Sequence, residues 1–427
     1  MPKKTIIITI VSVAVIGLAT AGLLFWGVGE KPSLEGIRGS LPFGIGGEVI
    51  PAEAPDTTER TSVPVDSTGG APSPKLIQIH SSAVAGAYSF EKASLEETGG
   101  SDTFIRYIER DVGHIFETNM ESAAEERISN KTRLGIYEAL WGEGGNSVII
   151  RYLGDKSDTI RSFLIKLSTL EKLSVEESKE KPVTPEGVFL PQSIREIVVS
   201  NEDPERIFYL TDNNDVSIGT IYNLASGKKA QIFMSPFTQW LISWPNKNTI
   251  TLTSKPSADT EGVMYFLNVQ TERSTKILGG INGLTTLTSP DGDKVLYSES
   301  KRGGFTLHLY DEKENTSQIL PLDTLPEKCI WSNKDTYMLY CAVATAINSG
   351  NYPDDWYQGL VSFSDDIWTI NTETYATEKL ISFKDASREE LDGIKLLLSP
   401  DEKFLFFINK KDLSLWALAL TEEVESL

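Results

Sequence analysis

Ser289-Pro-Asp-Gly-Asp-Lys-Val-Leu-Tyr297 and Ser399-Pro-Asp-Glu-Lys-Phe-Leu-Phe406 read as one device used twice, a tight polar turn that delivers the chain into an apolar, β-prone run. Pro presets φ, Asp bonds back onto its own backbone and Gly accepts a positive φ, so such a stretch turns the chain locally. Looser versions stand at Trp141-Gly-Glu-Gly-Gly145, Ser200-Asn-Glu-Asp-Pro204, Trp244-Pro-Asn-Lys-Asn248 and Trp331-Ser-Asn-Lys-Asp335. Short strand-like runs follow the turns, among them Ser147-Val-Ile-Ile-Arg-Tyr152, Arg206-Ile-Phe-Tyr-Leu210, Thr249-Ile-Thr-Leu-Thr253 and Lys403-Phe-Leu-Phe-Phe407.

Successive turns lie 59, 44, 45, 42 and 68 residues apart, the longer intervals reading as loop insertions. The shorter intervals match a four-stranded propeller blade of roughly 40 to 50 residues. Each unit reads as an inner strand, the polar turn, a second strand, a third such as Phe305-Thr-Leu-His-Leu-Tyr310 and a fourth such as Ser274-Thr-Lys-Ile-Leu278. A sheet of this size cannot cover both its faces alone, and stacking sheets around an axis does so while leaving short edges. With an earlier unit holding Thr103-Phe-Ile-Arg-Tyr-Ile108 and Gly113-His-Ile-Phe-Glu117, the count is about seven blades, with six and eight as the alternatives. The last unit, ending in Leu413-Ser-Leu-Trp-Ala-Leu-Ala-Leu420, lacks a fourth strand, and Leu76-Ile-Gln-Ile79 is the candidate to supply it. The fold class expected is therefore an all-β propeller over 76–420, closed by strands from both ends.

The Ser289 and Ser399 turns, with the strands that follow them, resemble the repeat of TolB-type, WD-like propellers, which the other turns approximate. The resemblance covers most of residues 76–420. It implies architecture, with extracytoplasmic interaction roles common in the family, and it carries no catalytic residue across.

Residues 5–26 are 22 residues without a charge, preceded by Lys3 and Lys4. At about 1.5 Å per helical residue the run spans a hydrocarbon core of about 30 Å. The paired lysines keep the stub 1–4 in the cytoplasm and place everything after Trp26 outside it. Ala19-Thr20-Ala21 fits a signal-peptidase site, but the apolar run continues through Phe25 and Trp26, so a retained anchor is the expected form. Residues 27–75 hold nine Gly and seven Pro among 49 residues and read as a flexible tether. Its mean reach is on the order of 40 Å. Residues 421–427 read as a tail.

Sixty acidic and forty basic residues give a formal charge of -20, which repels phosphate backbones and argues against a nucleic-acid partner. The chain has two cysteines, Cys329 and Cys341, flanking the Ser332 turn. If that turn centres on Asp335 they face each other across a hairpin, as a disulfide in an oxidising exterior or as two buried thiols. Without a neighbouring His they lack the ligand set of a metal site. His80, His114 and His308 are the only histidines, and the last two fall in strands of different units. Neither a nucleophile elbow nor a phosphate-binding loop is present. Asp212-Asn-Asn-Asp215 reads as a hairpin turn before it reads as a calcium site. No catalytic residue, metal or cofactor is nominated.

The irregularity with most functional content is the insertion 344–366, between the second and third strands of the cysteine unit. It contains Asn351-Tyr-Pro-Asp-Asp-Trp-Tyr-Gln-Gly359. This connection shares a rim with the links between blades, two of which are expected to be long, at 171–192 and 383–393. Loops on one face of a rigid ring are where recognition residues collect. Tyr352, Trp356 and Tyr357 are candidates for an aromatic platform, with Asp354 and Asp355 accepting from a sugar or pairing with a basic side chain. The competing reading packs these aromatics onto the ring. The expected function is a membrane-tethered extracytoplasmic module that binds an envelope protein or glycan through its loop face. The alternative is a propeller-type glycoside hydrolase or lyase using acidic residues at the axial funnel.

Overall fold

The computed structural model describes residues 75–94, 100–129, 132–154, 159–167 and 187–420. The expected stub, membrane helix and tail, and all of the expected linker except Lys75, lie outside the described residues. Among the described residues no helix is long and apolar enough to cross a membrane.

Seven four-stranded antiparallel sheets are arranged as the blades of a propeller. Blades one to six follow one another at 84–129, 136–189, 194–235, 240–282, 286–319 and 329–382. Blade seven takes Gly393–Leu398, Phe404–Asn409 and Leu415–Ala419 from one end of the domain and Leu76–His80 from the other. In the closing pair Leu76 faces Leu418 and Ile77 faces Ala417, and Ala419 N donates to Lys75 O at 3.0 Å. The ring therefore closes as the missing fourth strand of the last unit requires, and Lys75 already belongs to the sheet.

Period-two alternation explains why the second strands read as unbroken apolar runs. In Arg206–Asn213, Ile207 and Tyr209 enter the core shared with blade two, whereas Phe208 and Leu210 enter the core shared with blade four. In Phe404–Asn409, Phe404, Phe406 and Ile408 face blade one while Leu405 and Phe407 face blade six. Seven such clusters, one per blade junction, form the core of the ring.

The six quoted turns all join a first strand to a second, on one face of the ring. At Ser289 the hydroxyl accepts from Lys294 N at 2.9 Å, and Asp291 Oδ1 accepts from Asp293 N at 3.0 Å, with Gly292 at φ 83. The opposite face carries the links between blades and the second-to-third strand connections. Asn214 and Asp215, at φ 51 and 63, form one of these as a two-residue hairpin turn. The stretch 171–192 is not a link between blades. It includes Gly187–Phe189, the fourth strand of blade two, so it falls between the third and fourth strands of that blade. The link 383–393 is as expected, and includes a short helix, Phe383–Ser387.

Cys329 and Cys341 are directly paired in register and joined by a disulfide within the core between blades five and six.

Candidate functional site

The insertion leaves blade six after Met338–Ala344, makes one helical turn at Asp354–Tyr357 and returns at Asp365–Asn371. Its aromatics point inward, so the expected exposed platform is corrected. Tyr352 is 1% exposed and Trp356 4%, in an eighth apolar cluster with Phe305 and Phe363. A large ring flanked by apolar neighbours gains more from burial than from hydration, and each ring here also finds a partner for its polar end. The Tyr352 hydroxyl donates to Asn348 O at 2.8 Å, and Trp356 Nε1 donates to Asp392 Oδ2 at 3.0 Å. The half-buried Tyr357 donates to Glu327, and burial followed by the Glu327 charge pushes its hydroxyl well above the ordinary tyrosine value. The two carboxylates are also engaged: Asp354 Oδ2 accepts from Ala258 N of blade four at 2.6 Å, and Asp355 Oδ2 from Asn351 N at 2.8 Å. Ser300 of blade five donates to Tyr352 O. The insertion is thus a strap pinned across blades four, five and six.

Beneath the strap lies a fully buried ion cluster. Lys328 Nζ donates to Asp365 Oδ2 at 2.7 Å, to Asp392 and to Gly393 O at 3.1 Å, with all three charged side chains at 0% exposure. Burial pulls the lysine down, but the two carboxylates hold it above its ordinary value. Burial raises Asp365 to about 6 against the opposing pull of Lys328. These groups come from the link before blade six, the third strand of blade six and the link before blade seven, so the cluster fixes three segments at one point.

A second set of charged groups surrounds the axis where the inner strands begin. Four inner strands carry a register shift there, at Val84/Gly86, Ile136/Glu138, Ile194/Glu196 and Ile394/Leu397. Such bulges re-aim side chains out of the ladder. Arg151 is buried and clamps the Glu138 carboxylate at 2.7 Å and the Arg195 carbonyl at 2.7 Å, tying blade two to blade three. Glu196 is pushed up to about 7, first by burial, with Arg151 opposing and Glu138 adding to the rise. Lys395 retains solvent-accessible surface, its ammonium donates to Ala85 O at 3.3 Å, and burial draws that ammonium below the ordinary value. This set couples the Glu138 and Glu196 carboxylates with the cations of Arg110, Arg151, Arg195, Lys255 and Lys395.

Two clefts open on the same face, between adjacent blades. One, of about 490 Å³ between blades three and four, is walled by Phe233, Phe237, Trp240 and Tyr265, whose rings meet Trp240 edge-on. The other, of about 510 Å³ between blades five and six, has Leu322, Val343 and Trp368 on its walls and Asp323 and Asp366 among its polar groups.

No family model matches the chain, and no curated protein matches it. Among solved structures it is similar to an oligogalacturonate lyase in complex with manganese, at 10% identity and a TM-score of 0.51, covering 82% of this chain and 99% of that one. An oligogalacturonate lyase from Vibrio parahaemolyticus matches at 9% identity and 0.51, covering 83% and 100%. TolB from Acinetobacter baumannii matches at 9% identity and 0.42, covering 70% and 79%. The likeness is one of fold. The chain has the seven-bladed propeller architecture that its repeated turns imply.

The histidines include a pairing that the sequence hid. His80, on the closing strand, and His114, in blade one, both face Glu109, at 3.8 and 3.9 Å. Their separation in sequence gave no sign of it, because only ring closure brings Leu76–His80 beside blade one. The aromatic cleft was equally hidden, since its rings come from two blades and the link between them.

Proposed function

We propose that this protein is a membrane-tethered extracytoplasmic binding module that engages an envelope protein through the face bearing the links between blades. The observation that carries the reading is the placement of both interblade clefts on that one face, one of them walled in part by the first residues of the strap, Thr345 to Ile347. A rigid rim with preformed clefts suits recognition, because little ordering entropy is lost on binding. The opposite face presents short polar turns. The disulfide supports an oxidising compartment, in agreement with export behind an N-terminal anchor.

The test is site-specific photocrosslinking with the full chain in the cells that make it. Crosslinkers at Met234 and Thr345 on the link face are expected to yield a discrete adduct, and crosslinkers at Glu272 and Glu312 on the turn face are not. Adducts confined to the turn-face positions, or none from any position, would overturn the reading.

One observation favours an envelope enzyme as a second reading: Glu196, held near neutrality in the axial opening beside Glu138, has the poise of a general acid or base. Turnover of an acidic or neutral oligosaccharide that Glu196→Gln abolishes would establish it.

A further inference from the structure

The cleft between blades five and six has a feature that the fold does not use. Asp366 is 8% exposed, and its Oδ1 has no hydrogen-bond partner, while Oδ2 reaches Lys379 Nζ only at 3.4 Å. A buried carboxylate oxygen without a donor costs stability unless something outside the chain completes it. The rest of the cleft is lined in nearly equal parts by polar and apolar surface, with Leu322, Val343 and the half-buried Trp368 supplying apolar wall, Thr345 a hydroxyl, and Asp323 standing exposed on the side of blade five. The arrangement sets a buried carboxylate beside walls that are part apolar and part acidic, on the face already assigned to partner binding.

We propose that this cleft receives an arginine side chain of a protein partner, with the guanidinium on Asp366 Oδ1 and the aliphatic stem along Leu322 and Trp368. The chemistry selects such a group on three grounds. Only a donor can satisfy the free oxygen, and a cation forms the stronger bond. A long stem with apolar flanks covers apolar walls that a bare metal ion or a small ammonium would leave wet. A planar guanidinium stacks on an indole face while its fork reaches a carboxylate, which lysine does less well. The excess of acidic over basic residues, 60 to 40, draws a basic partner segment toward the ring. The assignment rests on the binding reading above and gives it a partner chemistry.

The probe is acetyl-Gly-Arg-Gly-amide, titrated calorimetrically into the full chain in detergent, beside the same peptide with citrulline. The arginine peptide is expected to bind, more weakly as salt rises, and the citrulline peptide at least tenfold more weakly. Asp366→Asn is expected to weaken the arginine peptide at least tenfold. Because that change touches a buried group, Ala346→Trp, which fills the mouth of the cleft without altering charge, serves as the second variant and is expected to abolish binding. Equal binding of the two peptides, or undiminished binding by both variants, would overturn the assignment. Failed titration alongside link-face crosslinks would remove only the cleft, whereas successful titration with adducts confined to the turn face would remove only the wider binding reading.

Discussion

Glu402 shows how a single position departs from its repeat for a physical reason. It occupies the place that glycine holds in the Ser289 turn, at φ 54 against φ 83 for Gly292. A left-handed backbone costs a non-glycine residue about 1 kcal/mol or more. The carboxylate offsets this by accepting from Ser332 Oγ at 2.8 Å, Asn333 N at 2.6 Å and Lys334 N at 3.1 Å, which joins the blade-seven turn to the blade-six turn. Glu402→Ala keeps the strain and loses the bonds, and is expected to cost about 2 to 3 kcal/mol in urea denaturation. Glu402→Gly loses the bonds but relieves the strain, and should cost about 1 kcal/mol less than the alanine variant. Glu196 gives a pH signature at the same scale. Its folded value of about 7 lies above the ordinary 4.5, so the folded state binds the proton more tightly. Its contribution is therefore full below the unfolded value and is lost as pH rises through the folded one, by up to about 3 kcal/mol. Chemical denaturation from pH 4.5 to 7 should show a fall in wild-type stability that is smaller in Glu196→Gln, the remainder coming from Asp365, which is also raised.

The strap is the element on which the sequence reading and the structure part most clearly. Its composition, with three aromatics and two aspartates in six residues, is compatible with a sugar platform and with a packed insertion. What decides between them is the neighbourhood: Phe305 and Phe363 receive the rings, Asp392 receives the indole, and the backbone of blade four receives Asp354. Alanine at Tyr352 or Trp356 would thus loosen the strap and create cavities, and it cannot serve as a simple test of contact with a partner. Asp354→Ala removes one bond at the far end of the strap. Faster amide exchange across 351–360 with an unchanged global melting temperature is expected, the local cost being about 1 kcal/mol. Trp356→Phe removes the donor to the buried Asp392, so it should lower the global stability by about 1 to 3 kcal/mol. A global loss from Asp354→Ala as large as that from Trp356→Phe would show that the strap and ring unfold as one unit.

For the molecule as a whole, the closing blade sets the resistance to unravelling. Leu76–His80 completes blade seven and places Ile79 in the core shared with blade one, and Ile77 packs against the same core. A chain beginning at Lys75 keeps every described strand and is expected to fold. A chain beginning at Ser81 lacks the outermost strand, and burial of the two isoleucines alone accounts for at least about 3 kcal/mol. Its urea midpoint should fall well below that of the Lys75 chain, with a broader transition. Equal midpoints would show that the ring is held by blade packing without its clasp.

Local chemistry was sufficient to fix the blade plan, because a Ser-Pro-Asp turn bends wherever it stands and a second strand facing two neighbours must be apolar on both sides. The repeat period, the pairing of Cys329 with Cys341 and the missing fourth strand before Leu420 all follow from short-range pattern. Tertiary structure alone decided the direction of Trp356, the meeting of His80 and His114 at Glu109, the burial of Lys328 between two aspartates, and the open valence of Asp366 in its cleft. Each of these depends on groups far apart in the chain that only the closed ring brings within bonding distance, and burial and hydrogen-bond satisfaction are properties of that assembled neighbourhood.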